Sequence, residues 1–210
     1  MSHVPSIGDV VVAVAGGLTD ARDLLNRLDG AAGDGDLGLT ASRAAEALVE
    51  LAPTLAGLPA SEALKAIGMA LARRSPSTGG TLIAFACLAA ARVELIADQS
   101  PTDAAADLLD AAREEIARRG KVEPGDRTML DALAPAAAAF REGAVAGSGV
   151  GACLAAAAAA ADRGAVSTID MDATTGRAGW LADRARGHED AGARLVAVIF
   201  AAAASAAGGP

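Results

Sequence analysis

The chain has 210 residues, 52% of them hydrophobic but only 2% aromatic, with no Tyr. That length suits one domain with a substantial core, and no shift of composition calls for two, so a single domain over residues 1–210 is expected. The formal net charge is -8, from 26 acidic and 18 basic residues. With no local Lys/Arg cluster to offset it, that surplus repels a phosphate backbone and argues against nucleic acid as a partner.

A core poor in aromatics must be built from Ala, Leu, Val and Ile. Alanine has the highest helix propensity and lets neighbouring helices approach closely, so the expected class is all-α. Punctuation and periodicity predict about eight amphipathic helices, near 5–30, 40–51, 60–74, 79–97, 101–119, 128–143, 148–163 and 191–207. Leu64, Ile67 and Leu71 form one stripe at helical spacing; Leu108, Leu109, Ala112 and Ile116 form another. Ser100-Pro101 opens the latter helix and Arg118-Arg119-Gly120 closes it. Short connections imply antiparallel neighbours. Segments 29–39 and 164–190 read as glycine-rich, polar loops, where chemistry is usually placed.

The Ala-rich runs at 151–161 and 195–207 fall short of the roughly 20 apolar residues that span a bilayer, so no membrane association is expected. The N-terminus lacks the charged start and apolar stretch of a signal peptide. Cys87 and Cys153 stand alone in apolar runs with no Cys-x-x-Cys spacing, which suits reduced, buried thiols and a cytoplasmic setting.

The segment Leu28-Asp29-Gly30-Ala31-Ala32-Gly33-Asp34-Gly35-Asp36-Leu37-Gly38 places three carboxylates within eight residues among four glycines. Gathering them costs on the order of a few kcal/mol per close pair at an effective dielectric near 20, a sign that a divalent cation reverses. An EF-hand starting at Asp34 fails, because Gly38, Leu39 and Ala45 stand where an oxygen donor, Gly and Glu are needed. Gly33 to Gly38 matches G-x-G-x-x-G, but it follows a helix rather than a strand, which rules against a dinucleotide fingerprint. Hard carboxylate ligands without His or thiol suit magnesium; a solvated acidic turn is the other reading.

Arg74-Ser75-Pro76-Ser77-Thr78-Gly79-Gly80-Thr81 precedes an apolar run and looks like a helix start, able to bind phosphate or simply to be capped by Ser77 or Thr78. No Gly-x4-Gly-Lys-Ser/Thr occurs, so a P-loop is excluded. Lys121 to Asp131 reads as a helix–helix turn with Asp126 or Thr128 as cap. In Thr175-Gly176-Arg177-Ala178-Gly179-Trp180, Arg177 could meet a phosphate through both arms of its guanidinium. Arg184 and Arg186 read as surface charges, and His188 as a loop residue without a nucleophile beside it.

These four segments, in this order, resemble the L subunit of dihydroxyacetone kinases. The match runs from Leu24 to His188 and is carried by Gly33-Asp34-Gly35-Asp36, by Pro-Gly-Asp-Arg-Thr-Met-Leu-Asp-Ala-Leu at 124–133 and by Gly-Arg-Ala-Gly-Trp-Leu at 176–181. The resemblance implies a barrel of eight antiparallel helices with ATP or ADP in loops at one end. It implies Asp29, Asp34 and Asp36 as ligands of two magnesium ions, and Gly38, Thr40, Ser77, Thr78, Gly79, Gly125, Thr128, Met129 and Arg177 as nucleotide-binding residues. It further implies that the ketose is held by a histidine of a separate K subunit, that a phosphotransferase-system protein is a candidate phosphoryl donor, and that a homodimer is compatible with the fold. Two departures mark this chain: Leu37 stands where the family usually has histidine, and Ser77-Thr78-Gly79-Gly80-Thr81 replaces Ser-Ser-Gly-Pro-Leu. The competing expectations are a fatty-acid-kinase nucleotide domain, which shares the acidic loop, and a non-catalytic regulator that binds a transcription factor.

Overall fold

The structure is a computed structural model that describes residues 6–172 and 186–208. Its described residues form nine α-helices and two short 3-10 turns, with no strand among them. The helices are α1 Ile7–Asp20, α2 Arg22–Ala32, α3 Leu37–Leu51, α4 Ala60–Arg74, α5 Thr78–Ala90, α6 Pro101–Gly120, α7 Leu130–Val145, α8 Val150–Ser167 and α9 Ala191–Ala206. The all-α expectation holds.

Contacts run α1–α3–α4–α5–α6–α7–α8–α9 and return from α9 to α1, closing a ring of eight helices; the short α2 packs chiefly on α3 at one end. Two apolar clusters fill it. One joins Val11, Leu18, Leu25, Leu48, Ile67 and Leu71. The other joins Ile116, Leu130, Phe140, Cys153, Val196 and Phe200. Helices α5 and α9 contribute to both, through Ala84 and Ala86 and through Leu195 and Val196. Small side chains let these helices sit close: a Cβ at Gly164 of α8 would lie 2.2 Å from the Asp131 carbonyl of α7.

Four boundaries differ from expectation. The helix expected over 5–30 breaks at Ala21 into α1 and α2, since α1 packs on α9 and α3 while α2 packs on α3, directions one straight rod cannot serve. The helix expected to reach 97 ends at Ala90, because Leu95 and Ile96 beyond it are exposed and extension would bury nothing. The loop expected over 29–39 shrinks to residues 33–36 between α2 and α3. The loop expected from 164 begins later, after α8 and the 3-10 turn Thr168–Asp170. No helix among the described residues is long and apolar enough to cross a membrane.

Candidate nucleotide and metal site

The acidic loop is built by the α2–α3 junction. On α2, Asn26 and Asp29 lie one turn apart on the same face, and both accept bonds from the start of α3. The Asp36 and Leu37 amides donate to Asp29 Oδ2 at 2.9 and 3.2 Å, and the Gly38 amide donates to Asn26 Oδ1 at 2.7 Å. Three N–H groups of the α3 terminus are thus satisfied by α2 side chains rather than by the local cap residue. Gly38 permits this approach, since a Cβ there would stand 2.0 Å from the Arg22 carbonyl. Gly35 supplies the left-handed step the turn needs, with φ 77°.

Asp36 occupies the N-cap position but makes no capping bond with its side chain. Its carboxylate, with those of Asp29 and Asp34, offers one oxygen each within 4.8 Å of one another. At magnesium–oxygen bonds of 2.0–2.1 Å, opposite ligands of one ion lie about 4 Å apart. Neighbouring ligands of an octahedral ion lie about 3 Å apart, so a closure of up to about 2 Å brings the three oxygens onto one ion. Oxygen-only donors suit magnesium better than zinc or copper.

Asp29 and Gly33 also form part of the wall of a cleft of about 300 Å³ at this end of the ring. Thr78 and Gly79, in the first turn of α5, stand in the same cleft. The N–H groups of a first turn have no partner within their own helix, and the helix dipole adds positive potential there. Apolar walls come from Leu82, Ile116, Val122 and Met129, and polar ones from Arg127, Thr128 and Asp190. Met129 sits between two glycines: a Cβ at Gly79 would lie 3.6 Å from its Cε, and one at Gly192 3.4 Å from its Cβ. A cleft lined by Asp29, by the first turn of α5 and by apolar side chains has the polarity of a metal–nucleotide complex.

The expected nucleotide-binding residues divide. Thr78, Gly79, Thr128 and Met129 are brought together in the cleft. Ser77 caps α5, its Oγ accepting from the Gly80 amide at 3.0 Å. Gly125 donates its amide to Asp131 Oδ1 in the turn ahead of α7, which places it outside the lining. Gly38 is spent on Asn26, and Thr40 lines a second cavity of about 160 Å³ among Val, Leu, Ile and Ala side chains. Leu37 and Leu195 belong to both cavities, so Leu37 forms part of their partition. Arg177, with Thr175 to Trp180, lies outside the described residues.

Residues that reasoning from sequence passed over include Asn26, Arg127, Asp131 and Asp190 to Gly192. Asp131 accepts from the Gly125 and Thr128 amides and so shapes the turn that carries Met129. Asp190 caps α9 through the Ala193 amide at 2.8 Å. Burial pushes its carboxyl up to about 6; Arg127 nearby lowers it and Asp131 raises it. An Asp before an apolar run was a legible cap signal, whereas the buried Arg127 gave none.

Fold and site together define a class: an all-helical barrel with a carboxylate-lined, nucleotide-sized cleft at one end. The DAK2 domain profile matches residues 31–205. The chain is 32% identical over 185 residues to the PEP-dependent dihydroxyacetone kinase, ADP-binding subunit DhaL of Escherichia coli, covering 88% of each. It is 38% identical over 188 residues to the mouse triokinase/FMN cyclase, of which it spans 32% while 88% of the chain is covered. The structure of the dihydroxyacetone kinase from C. freundii in complex with AMP-PNP and Mg2+ superposes with a TM-score of 0.73 at 27% identity, over 97% of this chain and 35% of that one. This chain belongs to the DAK2 domain family.

Proposed function

We propose that the chain is the nucleotide-carrying subunit of a ketose kinase, binding ATP or ADP through two magnesium ions on Asp29, Asp34 and Asp36. The convergence of those three carboxylates, one of which, Asp29, lines the cleft, carries the reading. Support comes from the relatives: the Escherichia coli protein is an ADP-binding subunit, and a curated relative from Pectobacterium atrosepticum, 32% identical over 200 residues, is an L-erythrulose kinase. Magnesium, when bound, neutralises charge on the phosphates and on the phosphoryl group in transfer.

The protein's own part is positioning. Asn26 and Asp29 fix the start of α3 and thereby the aspartates around it. The first turn of α5 directs Thr78 and Gly79 amides toward the phosphates, and Leu82, Ile116, Val122 and Met129 receive the base. Arg177 meets the nucleotide from the segment outside the described residues. The ketose is supplied by a separate K-type subunit in the cytoplasm, and the whole of 1–210 acts as one domain. Calorimetry with ADP tests this: binding requires magnesium, and Asp34→Ala or Asp36→Ala lowers it at least a hundredfold with the helical circular dichroism unchanged. Undiminished binding in either variant defeats the reading. Turnover of the reconstituted pair with ATP alone, against turnover with a phosphotransferase-system donor, identifies the phosphoryl source.

A further inference from the structure

One arginine stands where two separate parts of the cleft wall meet the turn that follows α8. Arg127 is 3% exposed, although it sits in a turn between helices. Its Nε donates to the Thr168 carbonyl at 3.0 Å, beyond the end of α8, and one terminal nitrogen donates to the His188 carbonyl at 2.7 Å. Thr168 is fully buried and completes the circuit: its Oγ1 accepts from the Asp190 amide at 2.7 Å and donates to the Ala165 carbonyl. Arg127 therefore ties the turn that carries Thr128 and Met129 to the segment that carries Asp190 and Gly192, and all four of those residues face the cleft.

The backbone gives an independent sign. Arg127 adopts φ 62°, in the left-handed region that side chains other than glycine enter at a cost of about 1 kcal/mol or more. Gly125, two residues earlier, has φ 103°. The guanidinium's bonds to the Thr168 and His188 carbonyls hold the residue in that conformation.

We propose that Arg127 is a positioning residue for the nucleotide, which sets the width of the base-binding end of the cleft by clamping the segment from His188 to Gly192 against the turn before α7. The inference rests on the nucleotide reading of the cleft. It assigns Arg127 no contact with the ligand; the residue acts through Met129 and Gly192, which lie so close across the clamp that a Cβ added to Gly192 would stand 3.5 Å from the Met129 backbone nitrogen.

The same guanidinium holds down the charge cost of Asp190 beneath the cleft. The charged groups bearing on Asp190 are Arg127 from the turn and Asp131 from α7. On its own side Glu189 is taken up by Arg194, which also reaches Asp162 of α8, and Asp29 of α2 lines the same cleft. His188 contributes its carbonyl to Arg127. Removing the positive charge therefore favours protonation of Asp190, an effect that packing alone does not produce.

The test is Mg-ADP affinity of the full chain between pH 5.5 and 8 for wild type, Arg127→Met and Arg127→Lys, with hydrogen exchange of the 188–192 amides. Arg127→Met is expected to weaken binding at least tenfold, to speed exchange of those amides and to move the pH profile of binding to higher pH. Arg127→Lys retains the charge and loses the two-armed clamp, so it keeps the wild-type profile while binding several-fold more weakly. If Arg127→Met fails to fold, the lysine variant and its profile carry the test alone. Wild-type affinity in Arg127→Lys, with unchanged exchange at 188–192, overturns the proposal. Failure of the wild type itself to bind Mg-ADP overturns the nucleotide reading instead, so the two outcomes are distinct.

Discussion

The two cavities of the ring share Leu37 and Leu195, yet differ in almost everything else. The smaller is lined by Val10, Val14, Leu48, Ile67, Ile83 and similar side chains from the middles of helices, with Thr40, Ser75 and Cys87 as its few polar or polarisable members. The larger draws on helix ends: the last turn of α2, the first turns of α3, α5 and α9, and the turn before α7. Mid-helix backbone groups are satisfied within the helix and expose only side chains, so a cavity there is as apolar as its residues. At a helix end the backbone itself is polar, so a cavity there acquires donors and a field whatever the side chains are. Helix ends suit polar and charged ligands for that reason. Cys87 shows the other environment: burial pushes its thiol up to about 11, which suppresses the reactive thiolate.

The sharpest way to break this contrast is to open the partition. Leu195 is 5% exposed and touches both cavities. Leu195→Ala is expected to cost about 3–4 kcal/mol and to admit a polar environment to the smaller cavity, seen as a lower urea midpoint and faster alkylation of Cys87. An unchanged Cys87 rate would show that another side chain separates the two spaces.

Gly38→Ala attacks the α2–α3 contact from the backbone side. With the Arg22 carbonyl 2.0 Å from the added Cβ, α3 must shift, and a loss of about 3 kcal/mol is expected by thermal unfolding, together with loss of magnesium-dependent binding.

Asp190 sharpens the electrostatic side. Burial pushes its carboxyl from the ordinary value of 3.8 up to about 6, so the folded state binds the proton more tightly. The associated stability is present below about pH 4 and is lost as pH rises through 6. Wild type should therefore lose on the order of 2–3 kcal/mol relative to Asp190→Asn between pH 4 and 7.5, since asparagine still caps α9 but carries no charge. Parallel urea midpoints for the two proteins across that range would remove the assignment.

The smallest stability effect is expected at Asp29, where binding and bracing separate. Asp29→Asn keeps an oxygen for the Asp36 and Leu37 amides, so stability should change by less than about 1 kcal/mol while metal-dependent binding falls steeply. Asp29→Ala loses both functions and should cost about 1–2 kcal/mol more.

Much of the molecule was legible in the sequence. Alanine-rich periodicity announced helices, Ser100-Pro101 announced a helix start, and three aspartates among glycines announced a cluster of carboxylates, because local propensity and turn chemistry act between near neighbours. Four boundaries were not legible, among them two helix ends. The break at Ala21 follows from packing on α9 and α3, and the stop at Ala90 from the absence of a partner beyond it.

The site divides in the same way. By itself the sequence determined that Asp29, Asp34 and Asp36 lie close together, that Ser77 could cap a helix and that the ordered motifs resemble a nucleotide-binding subunit. Only the tertiary structure decided that Asn26 and Asp29 brace α3, that Thr40 faces the apolar cavity and that Arg127 reaches across 61 residues of chain to His188. The physical reason is range: charge, capping and turn chemistry act over a few residues, whereas the closing of the ring sets which helix ends meet.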